Sequence, residues 1–200
     1  FARAWDVPSV YWAVGGTDRQ TYAQAEKAGR LNELPSNHSP EFAPVISPTL
    51  RAGIEAMLGA ALIPIVFVFV ALVVGGLRLI APWLQTVPQN PLGALLDTPF
   101  EAVVFGFIVV IAGGLREEIQ RAFILHRFEQ SLGGAMLGLI LFSVMFGFGH
   151  LEQGADVAIT TGALGLFWGV LYLARRSFVA ASVSHAGFNL AQVIVQATLR

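Results

Sequence analysis

Residues 101–129 read EAVVFGFIVVIAGGLREEIQRAFILHRFE, an apolar run interrupted by a charged cluster at residues 116–121. The charge-free part, residues 102–115, is only 14 residues long, whereas a membrane-crossing helix needs about 20. The helix must therefore continue through the charges if it is to cross. Because an ionised side chain near the bilayer centre costs at least ~2.5 kcal/mol, we expect these charges to be paired and to face the interior of a helix bundle.

The spacing of the charged cluster indicates different roles for its two carboxylates. On a helix, Arg121 lies about 40° from Glu117 and about 60° from Glu118, so the arginine can neutralise one carboxylate and leave the other available. The two glutamates are about 100° apart, and we do not expect them to share one inward point. One of them is then structural, and spacing alone leaves both as candidates. Arg116, about 140° from Arg121, is assigned no role.

The composition indicates a multi-pass membrane protein. Hydrophobic residues make up 55% of the 200 residues and charged residues only 12%, which does not fit an ordinary soluble domain. A net charge of −1, with scattered Lys and Arg, gives no basic surface for nucleic acid. The absence of cysteine from the sequence excludes disulfides, a thiol nucleophile and cysteine-ligated metal sites. The lipid bilayer is the partner that the composition predicts.

Apolar runs predict an all-α, multi-pass transmembrane bundle of about five spans, the last four of which form its core. The expected spans are residues 56–77, 101–129, 131–149, 157–174 and 177–199. We divide the chain into a polar extramembrane segment, a first transmembrane helix with an interfacial connection rich in proline, and the core. These three parts are residues 1–52, 53–99 and 100–200.

Residues 1–52 are polar and rich in turn-forming residues. Within them, residues 17–20 have the form of a capping box and predict a short helix that ends before Pro35. The chain begins with Phe1 rather than Met, and we expect that further residues precede it in the full protein.

Basic residues in short loops predict the orientation in the membrane. Arg51, Arg127 and the pair Arg175 and Arg176 fall on one side of the predicted spans. Cytoplasmic loops carry an excess of Lys and Arg, so this side should be cytoplasmic. Residues 1–52 would then be cytoplasmic as well.

Two further spans carry polar side chains at helical spacing. Phe146 and His150 are four residues apart, as are His185 and Asn189, so each pair should occupy one helix face. Polar groups in membrane helices usually face the bundle interior. We therefore expect both faces to meet the charged cluster of residues 116–121 at a common cavity.

The three motifs in this order, E-E-x-x-R, F-x-x-x-H and H-x-x-x-N, resemble those of the CAAX-protease and bacteriocin-processing family. Members of that family are glutamic intramembrane endopeptidases. The resemblance covers about residues 100–199, and its first motif is one residue shorter here than the family's E-E-x-x-x-R. In the family the first glutamate of the pair is the base, so the resemblance favours Glu117, while helix geometry leaves Glu118 a candidate as well.

Peptide hydrolysis needs a deprotonated water and a group that stabilises the oxyanion, and a carboxylate in an apolar cavity is a stronger base than one in water. The resemblance implies that Glu117 activates the water, that His150 holds or polarises it, and that His185 and Asn189 donate hydrogen bonds to the oxyanion. Glu118 paired with Arg121 would orient the site, and Phe146 would pack beside it.

The resemblance implies no cofactor and no metal. It implies a peptide or a lipidated or leader-bearing polypeptide as substrate, and a place in the cytoplasmic membrane of a bacterium. The alternative is a catalytically silent membrane subunit of this fold, which acts as a scaffold for other subunits of a larger complex. A cavity that holds Glu, His, His and Asn favours the enzyme, and an apolar plug favours the scaffold. An ion carrier would need a continuous polar path to both faces.

Overall fold

The computed structural model describes residues 27, 29 and 48–199 of the chain. The chain divides into two compact units, residues 1–50 and 51–200, and the helices below lie almost wholly in the second. The short helix predicted after residue 17 falls outside the described residues. The domain boundaries predicted from composition stay predictions.

The described part of the chain is helical and contains no strand, which confirms the all-α prediction. All five predicted spans form helices. In chain order these are α1 (Pro48–Ile80), α2 (Pro99–Ser131), α3 (Ala135–Phe148), α4 (Ala155–Arg175) and α5 (Val179–Thr198).

Three of these helices, α1, α2 and α4, are long and apolar enough to cross a membrane. The helix α3 has 14 residues and is about 21 Å long at 1.5 Å per residue, short of the roughly 30 Å hydrocarbon thickness. The helix α5 has 20 residues but is less apolar than the three helices that are counted as long and apolar enough to cross. Length and composition therefore support three of the five predicted crossings.

Within residues 81–98, the connection between α1 and α2 contains two short 3₁₀ turns and no crossing helix, as the prolines of this segment predicted. A capping box starts α2: the Thr98 hydroxyl accepts a hydrogen bond from the Glu101 amide at 3.2 Å, and the Glu101 carboxylate accepts one from the Thr98 amide at 2.8 Å. Pro99 occupies the first helical position, where its missing N–H costs nothing. These residues place the cap directly before the apolar run.

The prediction for the third span was wrong at its start, and its predicted end lies within one residue of the observed end. Helix α2 runs on to Ser131, and α3 begins only at Ala135. Gly133 and Gly134 adopt φ values of 94° and 98°, a left-handed conformation that glycine reaches without strain. The chain therefore turns inside what reads as one apolar run. At its other end α3 stops at Phe148, so His150 lies beyond the helix.

Helices α3 and α4 pack closely through small residues. A Cβ atom on Gly147 would lie 2.7 Å from the carbonyl oxygen of Ala158 and 3.2 Å from the Cα of Gly162. On Gly165 it would lie 3.1 Å from the Cα of Ser143. Small residues let the two helices approach each other closely here. This contact fixes the end of α3, and with it Phe146 and His150, against α4.

Gly147→Ala should destabilise the bundle by about 1–3 kcal/mol, because the atoms that its Cβ would meet are backbone atoms that cannot rotate away. Gly75→Ala is the matched control, since nothing lies within 4 Å of a Cβ at that position in α1. Its expected effect is zero or slightly stabilising. The free energy of unfolding in detergent micelles measures both, and equal values for the two variants would show that the α3–α4 contact is not close packed.

Candidate active site

A cavity of about 440 Å³ lies between the helices of the bundle. Four of its lining residues are the polar side chains Glu117, His150, His185 and Asn189. They come from α2, from the segment after α3, and from α5. These three elements therefore meet at one cavity. Glu118 is not among the described residues that line it.

Glu118 is instead buried with Arg121. Its side chain is 1% exposed and that of Arg121 is 0% exposed, and the Glu118 Oε1 accepts a hydrogen bond from the Arg121 Nη1. The guanidinium also lies over three aromatic rings, at 5.1 Å from the centroid of Phe142, 5.0 Å from Phe146 and 5.7 Å from Trp168. Rings at this distance attract a cation through their quadrupole. The arginine thus neutralises one glutamate, as the spacing predicted.

His185 connects the two glutamates. Its Nδ1 lies 2.8 Å from the Glu118 Oε1, and its Nε2 lies 3.9 Å from the Glu117 Oε2. Because a carboxylate accepts hydrogen bonds, the Glu118 contact assigns the proton to Nδ1 and turns Nε2 towards Glu117. The two carboxylates lie on opposite sides of this ring: Glu117 faces the cavity and Glu118 is paired with Arg121.

His150 is placed by Phe146 although it lies outside α3. Its Nδ1 is 2.8 Å from the backbone carbonyl oxygen of Phe146, and the two rings meet edge to face with centroids 5.0 Å apart. The carbonyl can only accept, so Nδ1 carries the proton and Nε2 is the acceptor of this ring. The four-residue spacing of Phe146 and His150 therefore corresponds to a hydrogen bond with the backbone at the end of α3, and not to a shared helix face.

Residues 99–191 match a family model described as Type II CAAX prenyl endopeptidase Rce1-like. The match covers just under half of the chain, from the start of α2 into α5, and contains all three motifs. This part of the chain belongs to the CAAX-protease family. Neither a curated protein nor a solved structure matches the chain. With three apolar helices of spanning length, the CAAX-protease region is part of an integral membrane protein with an intramembrane-protease-like fold.

The first glutamate of the pair faces the cavity in this CAAX-protease region and the second is paired with the arginine. This is the arrangement obtained when the shortened motif is aligned on its two glutamates. Glu118 and Arg121 are three residues apart here and still form their ion pair. The motif is one residue shorter than the family's, yet Glu118 still pairs with Arg121 and Glu117 still faces the cavity.

A π-helical segment, Val109–Arg116, directly precedes Glu117 within α2. It packs on α5, where a Cβ on Gly113 would lie 2.7 Å from the Asn189 Nδ2 and a Cβ on Gly114 would overlap Ala186. Such segments are frequent at functional sites. The two glycines bring the Asn189 amide close to the backbone of α2, on the same side of the cavity as Glu117. Sequence periodicity gave no sign of this segment.

Trp168 is the site residue that the sequence reasoning missed. Its ring stacks on His185 with centroids 3.9 Å apart and an interplanar angle of 17°, and its Nε1 donates to the Ser184 Oγ at 3.2 Å. Trp168 thereby holds the imidazole from the side that neither glutamate touches. The position of Trp168 in the sequence could have indicated a special role. Membrane tryptophans are enriched at the interfaces, whereas this one lies well inside α4.

Within the described residues, no three His, Asp or Glu side chains are arranged to hold a metal ion together. The polar groups of the cavity include the carboxylate of Glu117, the imidazoles of His150 and His185, and several amides, among them that of Asn189. Such a set can accept a proton, hold a water and donate a hydrogen bond to a developing negative charge.

Proposed function

We propose that this protein is an intramembrane endopeptidase that hydrolyses a peptide bond with water activated by Glu117. The observation that carries the proposal is the separation of the two glutamates. Glu117 lines the cavity with two histidines and an asparagine, whereas Glu118 is buried with Arg121. One carboxylate is thus available to a substrate, and the other is buried in contacts with Arg121 and His185.

Glu117 acts as the general base. Its side chain is 26% exposed, so water reaches it, and a carboxylate in an apolar cavity accepts a proton more readily than one in bulk water. The water lies between Glu117 and His150, whose Nε2 accepts its second hydrogen. Two acceptors on one water orient its lone pair towards the scissile carbonyl, and this positioning lowers the entropic part of the barrier.

Asn189 and His185 stabilise the tetrahedral oxyanion. The Asn189 amide is a donor that needs no change of protonation. His185 donates from Nε2 only when the ring carries a second proton, because Glu118 holds the proton on Nδ1. The proton that Glu117 takes from the water passes to Nε2, 3.9 Å away. His185 then delivers this proton to the leaving amine as the C–N bond breaks, and the other product leaves with the new carboxyl group. Glu118 and Arg121 position the imidazole and do not touch the substrate.

The same cavity supports the enzyme over the scaffold. Apolar groups fill much of its wall, yet Glu117, His150, His185 and Asn189 all reach its surface. A subunit that only docks on other proteins has no need for four polar side chains in an apolar cavity, where each costs desolvation energy. The substrate class that fits is a polypeptide segment in or beside the bilayer.

Asn189→Ala should reduce the turnover number by about 10²–10³, the loss found when one oxyanion donor is removed. The assay reconstitutes the protein in liposomes, adds a peptide library and identifies cleaved peptides by mass spectrometry. Gln120→Ala is the control, since Gln120 is an exposed amide on α2 outside the cavity, and it should retain full activity. If the parent protein cleaves no peptide in the library, or if Asn189→Ala cleaves as fast as the parent, the proposed mechanism is wrong.

A further inference from the structure

Three amide side chains follow one another along the face of α5 that lines the cavity. Asn189, Gln192 and Gln196 are separated by three and four residues, so they lie within about 60° of one another around the helix axis. All three line the cavity that contains Glu117. They form a row about 10 Å long, since a helix rises 1.5 Å per residue. We call this the amide row, and Asn189 is its catalytic end.

The fold makes no use of the hydrogen-bonding groups of the amide row. Within the described part of the chain, no hydrogen bond or ion pair connects its three side chains to other protein groups. Leu190 and Ile194 lie about 100° or more from every residue of the row, and both are exposed and apolar. The amides of this part of α5 are thus confined to the cavity face. Their donors and acceptors are available to a molecule in the cavity.

The wall contributed by α2 beside the amide row is apolar. A Cβ on Gly114 would overlap Ala186, and a Cβ on Gly106 would lie 3.3 Å from the Leu190 Cδ1. Helices α2 and α5 therefore run antiparallel here. The α2 residues that line the cavity N-terminal to residue 113 are all apolar: Phe105, Ile108, Val109 and Ala112. This apolar wall and the amide row consequently extend from the catalytic groups in the same direction.

An extended peptide chain complements these two walls. Its backbone presents N–H and C=O groups along its edges, and its side chains alternate between its two faces. An amide side chain offers both a donor and an acceptor, which match the C=O and N–H of a peptide group. The amide row is as long as about three residues of extended chain at roughly 3.3 Å each. The row can therefore bind backbone groups of any sequence, while the apolar wall accepts a side chain.

We propose that Gln192 and Gln196 bind the backbone of an extended substrate segment beside the scissile bond, and that the apolar wall of α2 receives a side chain of that segment. The place of the scissile bond rests on the proposed function, whereas binding of the segment does not require cleavage. The substrate class is a polypeptide that is extended next to its cleavage site and carries an apolar side chain there. A helical segment uses its own N–H and C=O groups internally and would leave the amide row unpaired.

A variant that does not cleave allows binding to be measured apart from chemistry. Glu117→Gln in lipid nanodiscs is incubated with a library of short random peptides, and the retained peptides are identified by mass spectrometry. Fluorescence anisotropy then gives the dissociation constant of one retained, labelled peptide. Gln192→Met or Gln196→Met, each added to Glu117→Gln, should raise this constant about 2–10-fold, the effect of one lost hydrogen bond. Gln120→Met, which changes an exposed amide outside the cavity, is the matched control and should leave it unchanged.

Ester substitution in the peptide tests whether the contact is made to the backbone. An ester in place of one amide bond removes the N–H donor, weakens the carbonyl acceptor and keeps every side chain. At one or more positions the ester should raise the dissociation constant for Glu117→Gln. It should have no further effect when Gln192→Met is also present, because both changes then remove the same hydrogen bond.

The proposal is overturned if no peptide is retained, if both methionine variants bind as tightly as Glu117→Gln alone, or if the ester and Gln192→Met effects multiply at every position. Binding as expected by a protein whose parent form cleaves nothing would contradict the proposed function alone. In a parent protein that cleaves the peptide, Gln192→Met should raise KM and leave kcat unchanged, since a contact made equally in the ground and transition states affects only binding. A lower kcat with an unchanged KM would instead place Gln192 in the chemical step and contradict its binding role.

Discussion

Replacing Glu117 by glutamine is expected to lower the rate of peptide cleavage by a factor of about 10²–10⁴, the usual contribution of a general base. Glutamine keeps the size of the side chain but cannot take a proton from water. The stability should hardly change, because Glu117 is partly exposed and its approach to His185 is 3.9 Å. Initial cleavage rates in liposomes and the unfolding midpoint in detergent measure the two effects separately.

Glu152→Gln is the control for the loss of a negative charge near the cavity. Glu152 is exposed and lies between α3 and α4 without lining the cavity, so its amide variant should cleave at the parent rate. Cleavage by Glu117→Gln at the parent rate would exclude Glu117 as the base, and the water would then need a different acceptor.

Arg121→Met should destabilise the protein by about 3–5 kcal/mol, because it leaves the carboxylate of Glu118 buried without its cation and with only the hydrogen bond from His185. The side chains of both residues are at most 1% exposed. The control is Arg176→Met, which breaks an ion pair whose side chains are 55% and 37% exposed, and it should cost about 0–1 kcal/mol. Titration with a denaturing detergent compares their free energies of unfolding.

A double variant separates the buried charge from the lost packing of the arginine. In Glu118→Gln with Arg121→Met no buried charge remains on this pair, so part of the lost stability should return. Equal losses for Arg121→Met and Arg176→Met, or no recovery in the double variant, would show that the buried ion pair does not hold the site together.

The apolar runs of the sequence predicted most of the fold. Helices α1, α2 and α4 contain the runs from which they were predicted. The third span failed because hydropathy does not register backbone conformation. Residues 131–149 carry no charge, so hydropathy does not mark the turn at Gly133 and Gly134, and the helix that follows it is only 14 residues long.

The composition of the site was predictable, and its internal geometry was only partly so. Helical angles showed that Arg121 could neutralise one glutamate, but they could not show which one faced the cavity. Long side chains also let both carboxylates reach His185 from its two nitrogens, which an angle measured at the helix axis does not describe. The stacking of Trp168 on His185 depends on how α4 packs against α5, and no local sequence pattern contains that information.

The central claim is that a water activated by Glu117 attacks the peptide bond directly. A single turnover in H₂¹⁸O, with the products analysed by mass spectrometry, tests this most directly. The mechanism predicts two fragments whose summed mass equals the substrate plus one water, with ¹⁸O in the new carboxyl group from the first turnover. Intact substrate, or a new carboxyl group that carries no ¹⁸O after the first turnover, would contradict it.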